Sequence, residues 1–242
     1  FCQDEFLSKK GVLNESIVST ELGLKGIPNI SESINIYRDI EILRYSGGKI
    51  HIPYVTTSKG VDLIREAKKN NLDITASVSL AHITFSEKDI PEFDTNYKLI
   101  PPLRSESDLN SLKEGLVDGT LDYLTSMHEP FDVDNKKIVF DNASSGSIGL
   151  ESMFGLMSNQ FTLEKTIDIL TRKKIIFEVD DHPIEIGSLA DLSLFNPDKN
   201  YNFSENHILS TSKNCAFIDS KHKGIVYGSI NGKNFTLNKL WT

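Results

Sequence analysis

The chain has 242 residues, 38% hydrophobic and 25% charged, enough apolar material for a sizeable core. Its formal net charge is −8 without a basic cluster, which argues against nucleic acid as a main partner. No apolar run approaches the roughly 18 residues of a membrane span, and two cysteines, Cys2 and Cys215, make no disulfide framework and fit a reducing cytoplasm.

Phe1 rather than Met opens the sequence and no signal sequence is visible, so the chain is expected to start inside a longer one or to have been cleaved. Phe1–Asp4 reads as the tail of a strand, followed by polar sequence and a loop at Leu22–Pro28. Ser31 and Ser33 are candidate N-caps for a helix to about Arg44, with Ile34, Tyr37, Ile40, Ile42 and Leu43 as its apolar side and Gly47-Gly48 as its stop. Lys49–Thr56 reads as a strand and Ser58–Asn70 as a helix with Val61, Ile64 and Ala67 inward. Ile74–Leu80 is the next strand, and this alternation implies parallel pairing. A long irregular connection, Pro91–Arg104, precedes a helix at Asp108–Val117.

Leu121–Ser126 is a strand running into Met127-His128-Glu129-Pro130; polar turns after parallel strands are where a (β/α) barrel keeps its chemistry. A Ser/Gly loop at Asn142–Gly149 and helices at Leu150–Ser158 and Leu163–Leu170 follow. Beyond Lys173 the pattern turns to short strands at Ile175–Val179, Ala190–Leu194, Gly224–Ile230 and Asn234–Leu237, with Asn231-Gly232 as a hairpin signal. The expected domains are therefore 1–172 and 173–242.

Several stretches resemble dihydroorotases in order and spacing. They are Asn14-Glu15, Leu22–Pro28 with Glu32, Arg38-Asp39-Ile40, Val61–Lys68, Pro101-Pro102-Leu103-Arg104, Glu114-Gly115-Leu116 with Asp118-Gly119-Thr120, and Ile148-Gly149-Leu150-Glu151. Gly187–Leu192 resembles the Gly-x-x-Ala-Asp-Leu of the small β domain of amidohydrolases. The resemblance covers the C-terminal half or more of a family member. It implies an α/β fold: the C-terminal strands of a (β/α)8 TIM barrel of the amidohydrolase type, then a small β-sandwich domain.

The family binds zinc at its strand ends to activate water, and this sequence departs from the pattern. Its ligand positions correspond here to Phe1, Tyr54 and Met127, the last also the general-base position. Its substrate contacts correspond to Ile100, Phe131 and Ser145, the last within Ser144-Ser145-Gly146, which keeps only the glycine of a Pro-Phe-Gly clamp. Phe lacks a donor lone pair, neutral Tyr is a weak ligand, and Met is soft and cannot act as a base. The resemblance thus implies a cytoplasmic, non-catalytic homologue in pyrimidine biosynthesis, without zinc, that acts as a homo-oligomer and structural partner of a protein such as aspartate transcarbamoylase. The alternatives are an active cyclic amidohydrolase with ligands outside this segment, and a metal-free ligand-binding module. His51, His82 and His128 near strand ends are read as packing or hydrogen-bonding residues rather than a rebuilt metal site. His182, His207 and His222 are read as solvated, Arg104 as a structural ion-pair residue, Ser144–Ser147 as a plain loop, and Arg172-Lys173-Lys174 as a solvated helix end.

Overall fold

The computed structural model describes residues 1–172, 176–179 and 183–238. The chain forms two compact units, Phe1–Leu150 with Ser210–Ala216, and Glu151–Leu209 with Phe217–Thr242. The boundary expected near residue 172 lies inside the second unit. Of the expected strand Ile175–Val179, residue 175 is outside the described residues, 176–178 are helix and turn, and 179 is irregular rather than strand. Lys173, Lys174 and His182 are also outside them.

The first unit opens with α1 (Glu5–Ser8), β1 (Leu13–Asn14), α2 (Ile17–Glu21) and β2 (Gly26–Ile27). Phe1–Asp4 is not a strand; the Asp4 carboxylate instead caps α1 by accepting from the amides of Phe6 and Leu7. A short parallel pair, β1–β2, lies inside what reads as loop sequence. Then come α3 (Ile30–Ser46), β3 (Ile50–Ile52), α4 (Ser58–Lys69), β4 (Ile74–Ser79), α5 (Leu80–Thr84), α6 (Glu106–Asp118), β5 (Tyr123–Thr125) and α7 (Val133–Lys136).

Strands β3, β4 and β5 lie side by side in that order and parallel, as the alternation implies. Period-two alternation sorts their side chains. Ile52, Ala76, Val78 and Leu124 are buried on one face, and His51, Thr75, Ser77 and Tyr123 meet on the other. Helix α4 buries Val61, Ile64 and Ala67, the face its 3.6-residue period marks. Gly115 of α6 lets the two helices close: a Cβ there would sit 3.2 Å from Val61 and Leu121.

Helix α3 corrects two expectations. It begins at Ile30 with Asn29 as N-cap, and Ser31 donates its hydroxyl to the Pro28 carbonyl at 2.7 Å. It buries Glu32, Ile36, Ile40 and Leu43, while Ile34, Tyr37 and Ile42 face solvent. Gly47, at φ +69°, stops it as expected.

The second unit contains α8 (Met153–Gln160), α9 (Leu163–Thr171), and a three-stranded antiparallel sheet of β6 (Asp191–Asn202), β7 (Lys221–Asn231) and β8 (Asn234–Leu237). Asn231 pairs with Asn234 around a two-residue turn in which Gly232 has φ +58°, the hairpin its sequence signals. His222 is not solvated: it is 1% exposed and stacks on Phe203 with ring centroids 4.8 Å apart. Gly155 of α8 makes room for its ring, since a Cβ there would lie 2.5 Å from it. His207 is half-buried and accepts from the Ser204 amide at 3.0 Å.

Candidate functional site

The loops after β3 and β5 are set by hydrogen bonds rather than by propensity. Tyr54, just past β3, is half-buried with φ +55°, a left-handed conformation that costs a non-glycine residue about 1–2 kcal/mol. The backbone beyond it is held. Val55 donates to the Ser77 carbonyl at 2.9 Å. The Glu32 carboxylate accepts from the amides of Thr56 (3.1 Å) and Thr57 (2.9 Å) and from both threonine hydroxyls. This places a carboxylate at the N-terminus of α4, where the helix dipole favours it. Met127, just past β5, also has a positive φ, +46°, and its side chain is buried.

Behind these loops lies a buried polar network centred on Arg104. Its Nη1 donates to Asn14 Oδ1 (2.8 Å), the Ile27 carbonyl (2.8 Å) and Asn29 Oδ1 (3.0 Å), and its Nε to Thr56 Oγ1 (3.2 Å). Glu32, Asp108 and Glu87 surround it electrostatically, opposing the downward push of burial on its pKa. Asp108 accepts from the Ser58 amide at 2.8 Å, and Glu87 accepts from Asn14. The ion pair expected of Arg104 is not formed: the oxygens to which it donates are neutral. Arg104 ties β1, β2 and the loop after β3 together.

The loops that carry Phe131 and Ser145 are brought together. His128 pairs in parallel with Ser147, and Glu129 donates its amide to the Ser147 carbonyl at 3.0 Å. A Cβ on Gly146, whose φ is +149°, would sit 2.6 Å from Glu129 Oε2 and from the Phe131 ring. The amides of Ser144 and Gly146 are already donated to the carbonyls of Asn135 and Lys98, so they are not free to cradle a phosphate. Lys136 donates to the carbonyls of Ser144 (2.8 Å) and Gly146 (2.9 Å), and Lys98 to those of Phe140 (2.7 Å) and Asp141 (2.9 Å). Burial, helped by Lys98, pushes Lys136 down to about 8, and burial raises Glu129 above the ordinary carboxylate value.

Asn214 closes this arrangement and had no signal in the sequence. Its Oδ1 accepts from the Phe131 amide (3.0 Å), and its Nδ2 donates to the carbonyls of Glu129 (2.9 Å) and Gly146 (3.2 Å). Its own carbonyl accepts from the Ile148 amide (2.8 Å). The neighbouring Cys215 is buried, and Cys2, raised to about 12 by burial and by Asp39, is unsuited to act as a thiolate.

The three strand-end histidines have other occupations. His51 Nδ1 meets Thr75 Oγ1 (2.9 Å), and its Nε2 meets Ser77 Oγ (3.2 Å) and Tyr123 Oη (3.0 Å). Its ring stacks on Tyr123 at 5.3 Å. His82 is buried between Ser79 Oγ (2.7 Å) and the Pro101 carbonyl (3.0 Å), and burial pushes it down to about 4. His128 Nδ1 accepts from the Leu150 amide at 3.3 Å. Half-buried Ile100 precedes Pro101 through a cis peptide bond, and Phe1 is 53% exposed. Among the described residues, no group of three His, Cys, Asp or Glu side chains is arranged to hold a metal ion. Among them, too, no helix is long and apolar enough to cross a membrane.

Parallel strands alternating with helices define an α/β fold, and solved structures share it. D-hydantoinase of known structure matches 97% of this chain and 54% of its own, with a TM-score of 0.80 at 22% identity. The inactive dihydroorotase-like domain of the Chaetomium thermophilum CAD-like multifunctional protein matches 83% of this chain and 55% of its own, with a TM-score of 0.60 at 18% identity. In sequence the chain is similar to dihydroorotases. It is 37% identical over 234 residues, 93% of its length, to the dihydroorotase of Caldanaerobacter subterraneus subsp. tengcongensis. It spans about half the length, 54%, of that relative. No family model matches the chain.

Proposed function

We propose that this chain is the C-terminal portion of a dihydroorotase homologue that has lost hydrolysis and works through protein contact in pyrimidine biosynthesis. On this reading β3, β4 and β5 belong to a (β/α)8 barrel, and the sheet of β6–β8 belongs to a small β-sandwich. The observation that carries the proposal is Met127, a buried thioether at the family's general-base and metal-ligand position. A thioether can neither take the proton of an attacking water nor serve as a hard ligand. Phe1 and Tyr54 at the other ligand positions do not repair the set, so these residues do not fit a zinc ion. Ile100, Phe131 and Ser145 likewise replace the family's substrate contacts.

The surrounding scaffold supports a retained structural role. Glu32, Arg104 and Asn214 still hold the loops firmly although the chemistry has gone from their tips. The Chaetomium neighbour is itself an inactive domain within a multifunctional protein, which is in line with a cytoplasmic partner role beside an enzyme such as aspartate transcarbamoylase. The alternative is an active enzyme converting N-carbamoyl-L-aspartate to dihydroorotate with ligands outside these residues. The coverage of only 54% of a curated relative favours keeping it.

Zinc content and dihydroorotate turnover of the full-length protein decide between them. Substoichiometric zinc with background turnover is expected. Stoichiometric zinc with turnover above background would overturn the proposal.

A further inference from the structure

Two buried ammonium groups hold residues 140–146, and both rest on neutral oxygens. Lys98 is 4% exposed and Lys136 is 6% exposed. Lys98 reaches the carbonyls of Phe140 and Asp141, and Lys136 those of Ser144 and Gly146. The backbone closes the same arrangement. Gly146 donates its amide to the Lys98 carbonyl at 2.8 Å, and Ser144 donates to the Asn135 carbonyl at 3.0 Å. Thr95 donates its hydroxyl to the Lys136 carbonyl at 2.6 Å. Residues 140–146 thus form a strap tied down by two cations. The strap carries Ser145 and seats Gly146 against the Phe131 ring so closely that no side chain would fit between them.

The charges acting on Lys136 come from both sides of it. Lys98, on the connection before α6, repels it. Asp94, on the same connection, and Glu129, after β5, attract it. Asp141 of the strap attracts Lys98. On and beside its own helix, Asp132, Asp134 and Lys137 are exposed, where solvent screens them. A cation taken out of water onto carbonyls alone keeps a desolvation penalty, and a second cation nearby adds to it. Loss of the proton removes that penalty, because a neutral amine still has two hydrogens for the same two carbonyls. Lifting the strap removes it as well, because water then reaches the ammonium. Proton uptake and opening therefore favour one another. In agreement, burial and Lys98 bring Lys136 from an ordinary 10.5 down to about 8.

We propose that residues 140–146 are a proton-operated strap: charged Lys136 favours lifting, neutral Lys136 favours closure, and closure keeps Gly146 seated on Phe131. The closed state binds fewer protons than the open state between pH 8 and pH 10.5, so opening falls as pH rises through that window. Lys98, also pushed down by burial, acts in the same direction. The proposal does not rest on loss of the hydrolytic site, and its test reads neither zinc nor turnover.

Amide hydrogen exchange of the full-length protein at Ser144 and Gly146 reads the opening, corrected for intrinsic rates and compared with Ile64 in α4. In the wild type the open fraction should be flat below pH 7 and fall about tenfold between pH 7 and pH 9. Lys136→Met has no proton to lose, and Lys136→Arg keeps its charge throughout. Both should lose most of that fall, with thermal melts showing them folded. If Lys136→Met does not fold, Lys136→Arg carries the test. A wild type whose opening is flat to pH 9, or a folded variant that retains the full tenfold fall, would overturn the proposal.

Discussion

Replacing Glu32 with alanine removes the group that fixes the loop after β3. Its carboxylate is 2% exposed and accepts from two backbone amides and two hydroxyls. Without it the Thr56 and Thr57 amides are buried and unpaired, at about 1–3 kcal/mol each. Arg104 also loses the largest of the carboxylate influences that oppose its desolvation. These effects share partners and do not add fully, so the expected loss is about 4 kcal/mol. Glu32→Gln keeps one acceptor oxygen but turns an NH₂ toward amide donors, and should cost about half as much. Urea unfolding of the full-length protein gives the stability change. Amide hydrogen exchange at Thr56 and Thr57 should accelerate selectively in both variants. A loss below about 1 kcal/mol for the alanine variant, in the range of an ordinary surface change, would refute the view that this carboxylate holds the loop.

Two further expectations follow from the same loops. His82 is pushed down to about 4 by burial from an ordinary 6.5, so the folded protein binds fewer protons than the unfolded chain between those values. Its contribution to stability is therefore full above pH 6.5 and falls away as pH drops toward 4. In His82→Gln, urea midpoints measured across that window should fall less steeply with acid, and an unchanged slope would contradict the assignment. Asn214→Ala strips partners from the Phe131 amide and from the Glu129 and Gly146 carbonyls, at about 2–4 kcal/mol. Exchange at Phe131 should rise more than at Ile64 in α4, and equal acceleration at both sites would count against a local role.

Legibility in the sequence followed the range of the interaction that decides each feature. The parallel order of β3, β4 and β5 was visible because strands and helices alternate, and α4 because its apolar residues recur on one face. The β7–β8 turn was visible because Asn231-Gly232 acts locally. Helix α3 misled because apolar residues occupy both its sides: Ile34 and Tyr37 look as much like core as Ile36 and Ile40 do. His222 is flanked by lysines and reads as solvated, yet Gly155 and Phe203, far away in sequence, enclose it. The positions of Tyr54, Met127, Ile100, Phe131 and Ser145 came from a family likeness. That Tyr54 and Met127 both adopt left-handed backbone was not legible, because distant groups hold the loops around them. Asn214 matched no motif; its role exists only once residues 129–131 and 146–148 lie beside it.

Residues 210–216 belong to the first unit although the chain reaches them only after passing through 151–209. Synthesis runs from the N-terminus at about 5–20 residues per second, so a nascent chain waits several seconds between emitting Leu150 and emitting Asn214. During that interval the turns at 129–131 and 146–148 are made but unlatched, and a ribosome-bound chain stalled before Asn214 would display them open to chaperones and proteases.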